Sequence, residues 1–240
     1  MREATEKLLE QLKTYPVFDL IKVARKVKNN EDYLKLLIHR LVRKRAIISI
    51  ERNKYTRYKD PWIVASHLIW PGYISSWAAL QYHHFTEQLP TTIEVVTSKK
   101  RRKRKLSFQE SKIKIITTKP ALIFGFTKCL HEGTEIFMAE PEKALLDAAL
   151  FKSMSFSEIE DIITSHLSQL QKEKLVAYLL KIGNKSLIKR FGYVLDFVGK
   201  DYYTRLHHHM DHNFISLDYS LPQKGKKNTK WRIIDNVTKR

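Results

Sequence analysis

The chain has 240 residues, 43% of them hydrophobic, which accommodates one or two globular domains with a substantial core. Lysine and arginine number 44 against 25 aspartate and glutamate, a formal net charge of +19, so a polyanionic partner is expected and nucleic acid comes first; a lysine-rich codon bias would raise the charge without any partner. No apolar run is long enough for a membrane span, Met1–Glu10 lacks the apolar segment of an export signal, and the single Cys129 excludes an internal disulfide or a cysteine zinc cage, so a cytoplasmic protein with no membrane partner is expected.

In chain order, Leu8, Leu9 and Leu12 mark an amphipathic helix that ends before Tyr15-Pro16, because a residue preceding proline is pushed out of the helical region. A second helix is predicted over Phe18–Val27, followed by a Lys28-Asn29-Asn30 turn in which either asparagine can cap the next helix. In that third helix Leu34, Leu37, Ile38, Leu41 and Val42 form one apolar stripe, which leaves Tyr33, Leu36, His39, Arg40 and Arg43 on the opposite face with Lys35 and Lys44 at its edges. Alternating runs Ala46–Glu51 and Lys54–Tyr58 around Arg52-Asn53 read as a hairpin.

Helix, helix-turn-helix and hairpin together predict a winged helix-turn-helix over residues 1–60, which carry 16 basic and 8 acidic side chains. Such a module places its third helix in a DNA major groove and its wing on the neighbouring backbone. Two blander readings stay open, a merely solvated basic face and a protein-binding winged helix. Leu36 is likewise open, either to a thymine methyl or to packing on the first helix or a dimer mate.

The pattern changes after Asp60-Pro61, and residues 61–240 are expected to form a larger mixed domain with a small β-sheet and a C-terminal helical region, giving an α+β protein overall. Trp62–Trp70 reads as strand-like or irregular, Pro71-Gly72 as a break, and Ser75 or Ser76 as the cap of a short helix reaching His83-His84. Strands are predicted at Thr91–Ser98, Leu106–Phe108, Lys112–Thr118, Ala121–Phe126 and Thr134–Ala139. Helices are predicted from Pro141, then at Phe156–Ser165, Gln169–Ile182, Ser186–Val198 and Tyr202–His209, and Trp231–Ile234 reads as a closing strand.

Four groups of residues could carry chemistry. Lys99, Lys100, Arg101, Arg102, Lys103, Arg104 and Lys105 are consecutive cations between two strand-like runs, read as a hairpin tip that contacts DNA or RNA, as a solvated loop, or as a site for an acidic protein. His207, His208, His209 and His212 with Asp211 are the one metal-like cluster; His208 and His212 would stand one turn apart on a helix, but no His-Glu-x-x-His frame is present and a surface histidine patch is preferred, with no metal assigned. Cys129 and His131 could share a strand face, yet a lone cysteine in an apolar run reads as a small buried side chain. Lys143 and Asp147, one turn apart beside Glu142, read as an ion pair. No glycine-rich phosphate loop is present, and no cofactor is expected.

The order of segments LVRKRAIISIERNKYTRY, PGYISSWAALQYHHF, IEVVT with its basic run, AEPEKALLDAAL, KRFGYVLDFVG and ISLDYSLPQKGKKNTKWRIIDNV resembles the AbiEi family of antitoxins from type IV toxin-antitoxin systems over nearly the whole chain. The resemblance implies an N-terminal winged helix that represses its own operon by binding the upstream operator, a C-terminal antitoxin domain over 61–240 that antagonises a neighbouring nucleotidyltransferase toxin, and no enzymatic activity. Carried over by position, DNA contact falls on Tyr33, Lys35, His39, Arg40, Arg43, Arg52 and Lys54, whereas Glu142, Asp147, Arg190, Trp231 and Arg232 match motif positions that read as framework. One departure is Arg45-Ala46, where many members carry a glycine between the third helix and the wing. The alternative is a ligand-responsive winged-helix regulator with no toxin partner.

Overall fold

The computed structural model describes residues 2–12, 14–27 and 31–237, so the 28–30 turn with its expected asparagine cap lies outside the described residues. Among the described residues the protein is α+β, with ten α-helices, a six-stranded mixed sheet and two small sheets.

The first 60 residues pack three helices, α1 (Arg2–Leu12), α2 (Leu20–Val27) and α3 (Glu31–Arg43), against a hairpin of β1 (Ile48–Glu51) and β2 (Lys54–Thr56). Leu8, Leu12, Phe18, Val23, Leu34, Ile38, Leu41 and Ile47 form a core of their own. The expected second helix starts two residues late. The Asp19 carboxylate accepts the Lys22 amide at 2.9 Å and so caps α2, while Phe18 exchanges two 2.9 Å backbone bonds with Tyr55 and extends the hairpin by a bridge. The hairpin turn holds Asn53 at φ 59°, and its side chain accepts the Leu20 amide at 3.1 Å.

α3 ends in a Schellman turn: the Ala46 amide reaches the Leu41 carbonyl at 3.0 Å and the Arg45 amide reaches Val42 at 2.9 Å. Arg45 itself sits at φ 55°, the left-handed position that glycine fills without a Cβ penalty. The departure from glycine is therefore accommodated by strain at one residue.

The body is built on a sheet in the order β5-β6-β4-β3-β8-β7, from β3 (Gly72–Ser75), β4 (Thr92–Thr97), β5 (Lys105–Phe108), β6 (Ser111–Thr117), β7 (Phe126–His131) and β8 (Thr134–Ala139). Four expectations are corrected here. Residues 62–70 are not strand-like: Asp60 accepts the Trp62 and Ile63 amides at 2.8 and 2.9 Å, Pro61 suits the first turn, and α4 runs Pro61–His67. Pro71-Gly72 leads directly into the central strand β3, whose partners β4 and β8 bury it. Ala121–Phe126 is a short 3₁₀ turn at Pro120–Leu122 and a loop, with the strand beginning only at Phe126. The 99–105 run is not a hairpin tip, because β4 and β5 both pair with β6 and the run passes over the end of the strand between them.

α5 (Ser76–Tyr82) and α6 (Pro141–Leu150) pack together against the sheet. Around them lie α7 (Phe156–Ser165), α8 (Lys172–Ile182), α9 (Lys185–Phe197) and the short α10 (Tyr203–Leu206). α7 opens on a capping box in which Ser155 and Glu158 satisfy each other's backbone amides. The last sheet joins β9 (Ile215–Ser216), β10 (Lys226–Asn228) and β11 (Ile233–Asp235), so the closing strand is present but begins after Trp231, which is fully buried. Among the described residues no helix is long and apolar enough to cross a membrane.

The Lys143–Asp147 pair is present and fully buried. Asp147 also accepts from the Tyr73 hydroxyl at 3.0 Å and the Ser75 hydroxyl at 2.8 Å, tying α6 to β3. Ser75 stands at the cap position of α5, but its hydroxyl serves Asp147 instead. The framework reading of the motif residues fits their contacts: Glu142 accepts the Gln171 amide at 2.8 Å, Arg190 donates to the Ser216 and Leu217 carbonyls, and Trp231 donates to Asp196 at 3.0 Å. Arg232 lies over the Phe214 ring.

Candidate nucleic-acid interface

The apolar stripe of α3 fixes what its other face presents. Leu34, Ile38 and Leu41 are buried, and one helical face away Tyr33, Lys35, Leu36, His39, Arg40 and Arg43 are exposed. Lys35 lies 3.6 Å from Asp32, an exposed pair of little energetic weight. Leu36 remains 48% exposed, so in this fold it does not pack on α1. Arg40 and Arg43 fall in the last turn of α3, where cations also suit the negative end of the helix dipole.

At the hairpin the two candidate cations part company. Arg52 is exposed at the turn. The Lys54 ammonium turns toward the body, donating to the Leu68 carbonyl at 2.6 Å with Glu51 at 3.6 Å, and burial pulls its pKa down. Lys54 is a seam residue in this geometry, not one aimed at a ligand.

The basic run divides in the same way. Arg101 is held by the Glu51 carboxylate of β1 and donates through Nε to the Lys103 carbonyl at 2.7 Å, with only 11% of its side chain exposed. Lys99, Lys100, Arg102, Lys103, Arg104 and Lys105 are exposed. Glu51 thus brings the run alongside the hairpin and joins two basic segments about 50 residues apart into one surface. Neither residue of that brace is distinguishable in the sequence, because an acidic residue in a strand-like run carries no sign of its partner.

The histidine cluster is not arranged as the helical spacing would require. α10 ends at Leu206 and a 3₁₀ turn covers His207–His209, so His208 and His212 do not share a helix. Asp211 is bound to the buried Lys189 ammonium, which holds its carboxyl below the usual range, and His207 stacks on Tyr203 at 5.0 Å. Among the described residues the three potential ligands that do converge are Asp60, His131 and Glu132. Asp60 is already the α4 cap, with its second oxygen 3.3 Å from His131 Nε2, and Trp62 stacks on the same imidazole at 5.6 Å. Cys129 is half-buried; burial pushes its thiol up, against a smaller opposing effect of the Tyr82 hydroxyl.

Neither the scan against protein-family models nor the search of curated proteins returns a match for this chain.

Proposed function

We propose that residues 1–60 form a winged helix-turn-helix that binds double-stranded DNA, and that the whole chain is an antitoxin of the AbiEi type that represses its own operon and antagonises a nucleotidyltransferase toxin. The observation that carries the DNA-binding half is the α3 face: His39, Arg40 and Arg43 stand exposed on one helical side, with exposed Arg52 on the adjoining hairpin and the braced basic run beyond it. Helix cations of this kind read base edges in the major groove, while the run and the wing neutralise phosphates. The antitoxin half rests on the order of motif segments.

The test is binding of the full chain to the DNA upstream of its own gene, with a salt series. Arg40→Ala/Arg43→Ala should cost about 1–3 kcal/mol per lost base contact and relax sequence preference. Neutralising Lys99, Lys100, Arg102, Lys103 and Arg104 should flatten the salt dependence and leave the preferred site unchanged. Equal operator affinity for wild type and the Arg40/Arg43 variant would sink the assignment. Co-expression with the neighbouring gene product tests the second half, where the antitoxin reading requires rescue of growth. Operator binding without rescue would select the ligand-responsive regulator, a reading favoured by the cavity described next.

A further inference from the structure

Two adjoining cavities open on one face of the sheet at its β5-β6-β4 side. The first, about 430 Å³, is lined by Trp77, Gln88, Pro90, Thr92, Glu94, Lys114 and Ser153 among others; the second, about 610 Å³, shares Thr92 and Lys114 and adds Lys103, Lys105, Ser107 and Lys112, with Leu106 and Ile113 also on its wall. The register explains why these side chains stand together. Thr92 pairs with Lys112, Glu94 with Lys114, Lys105 with Lys114 and Ser107 with Lys112, so all six stand on one face of the sheet. The other face carries Ile93, Ile113 and Leu106, which are buried.

Two residues that line the first cavity carry polar atoms that the protein leaves unanswered. Glu94 is 7% exposed; its Oε1 accepts from Lys114 Nζ at 2.6 Å, while Oε2 is buried with no hydrogen-bond partner. The Ser153 hydroxyl on the cavity wall is also buried and unpartnered. A buried carboxylate oxygen left unsatisfied is costly, so a donor from outside is the natural complement. The second cavity has the opposite character, with four lysines and no carboxylate among its lining residues.

A ligand that suits both must therefore be bipolar. Its anionic end belongs on Lys103, Lys105 and Lys112, away from Glu94, and its other end must offer an N–H to Glu94 Oε2 beside the half-buried Trp77 ring. A polyamine satisfies Glu94 and is repelled by the lysines; inorganic phosphate satisfies the lysines and is repelled by Glu94. We propose that this groove binds a free nucleoside polyphosphate, with the base against Trp77, its N–H edge on Glu94 and Ser153, and its phosphates on the lysine cluster. Each cavity taken singly is in the range that small-molecule sites occupy, about 300–1,000 Å³. This site is separate from the α3 face but shares Lys103 and Lys105 with the basic run, so nucleotide titration and not operator binding is what tests it.

The experiment is calorimetric titration of the full-length chain with ATP, GTP, CTP, UTP, their 5′-monophosphates and inorganic tripolyphosphate, alongside a single-stranded oligonucleotide. At least one triphosphate should bind with a Kd of about 100 μM or tighter, more tightly than its monophosphate and than tripolyphosphate. Glu94→Gln should weaken that nucleotide about tenfold or more while leaving tripolyphosphate no weaker, since it removes the carboxylate that repels it and that pairs with Lys114. Trp77→Leu should weaken it comparably, and Lys105→Ala/Lys112→Ala should weaken triphosphates more than monophosphates. Thermal melts of each variant establish that it is folded, and Trp77→Leu supplies the test should Glu94→Gln not fold. The proposal is overturned if no nucleotide binds, if tripolyphosphate binds as well as the best nucleotide, if folded Glu94→Gln and Trp77→Leu bind like wild type, or if only the oligonucleotide binds.

Discussion

Gly192 sits in the middle of α9, where a helix-propensity argument alone predicts that alanine stabilises by about 0.5–1 kcal/mol. The structure predicts the opposite sign. A Cβ at this position would lie within 2.6 Å of three ring carbons of Trp231, against an ordinary carbon contact of about 3.5–4.0 Å. The indole has little freedom to yield: it is fully buried, meets Tyr203 edge-on at 5.2 Å and donates to Asp196 at 3.0 Å. Overpacking of this kind costs about 1–3 kcal/mol. Displacing the ring far enough to relieve it also weakens a hydrogen bond to a carboxylate, worth about 1.5–3 kcal/mol. Net of helix propensity, Gly192→Ala should destabilise by about 2–5 kcal/mol, a fall in Tm of about 5–15 °C for a protein of this size. Thermal and urea unfolding followed by circular dichroism measure it. A double-mutant cycle with Trp231→Leu isolates the cause, since removing the ring should abolish most of the penalty. A Gly192→Ala protein as stable as wild type, or strictly additive effects in the cycle, would refute the steric reasoning.

Arg45→Gly should stabilise the N-terminal module by about 0.5–1 kcal/mol, because it removes a side chain from the left-handed position at φ 55°; the urea midpoint reports it. Lys143→Met should destabilise by about 3–5 kcal/mol by stranding the buried Asp147 carboxylate, and Lys143→Met/Asp147→Leu should recover much of the loss, as the two chemical denaturation curves will show. Asp218 is buried, which would raise its pKa, but bonds from the side chains and amides of Ser157 and Ser220 outweigh burial and pull it down to about 2. Its folded value is thus below the unfolded value of about 3.9, so its contribution is complete above that pH and is lost as pH falls through about 2. Asp218→Asn should therefore be less stable than wild type at neutral pH, with the gap closing toward about pH 2; a gap that does not vary with pH would contradict the assignment.

Elements whose local signals and long-range packing agree were legible from the sequence. The expected and observed limits of α7 coincide at Phe156–Ser165, where helical periodicity follows a Ser155–Glu158 capping box. The α3 stripe was legible for the same reason, since one buried face determines the other. β3 was not: Gly72–Ser75 is buried along its whole length, so it shows no alternation, and its identity as a strand depends on β4 and β8, which come later in the chain. Residues 62–70 read as strand-like or irregular, but the start signals Asp60 and Pro61 decide for a helix. For the candidate interface, the exposure of Arg40 and Arg43 followed from periodicity. The loss of Lys54 and Arg101 to protein partners did not, because Leu68 and Glu51 lie 14 and 50 residues away.

The same contacts bear on where the chain can be divided. Residues 1–60 have their own core, yet Val17 and Ile50 belong to the core of the body, Lys54 bonds to Leu68, and Glu51 holds Arg101. A cut after residue 60 also takes Asp60 from the body, removing the cap of α4 and the partner of His131 together. Losing an N-cap aspartate costs about 0.5–2 kcal/mol. A fragment of residues 59–240 should accordingly unfold at higher urea than one of residues 61–240, and equal midpoints would refute the capping argument. If the proposed division of labour holds, the 59–240 fragment is the one that should rescue growth while failing to repress the promoter. Failure of that fragment, folded and well expressed, to rescue where the full chain succeeds would mean that antagonism works through the seam or through the exposed α3 face itself.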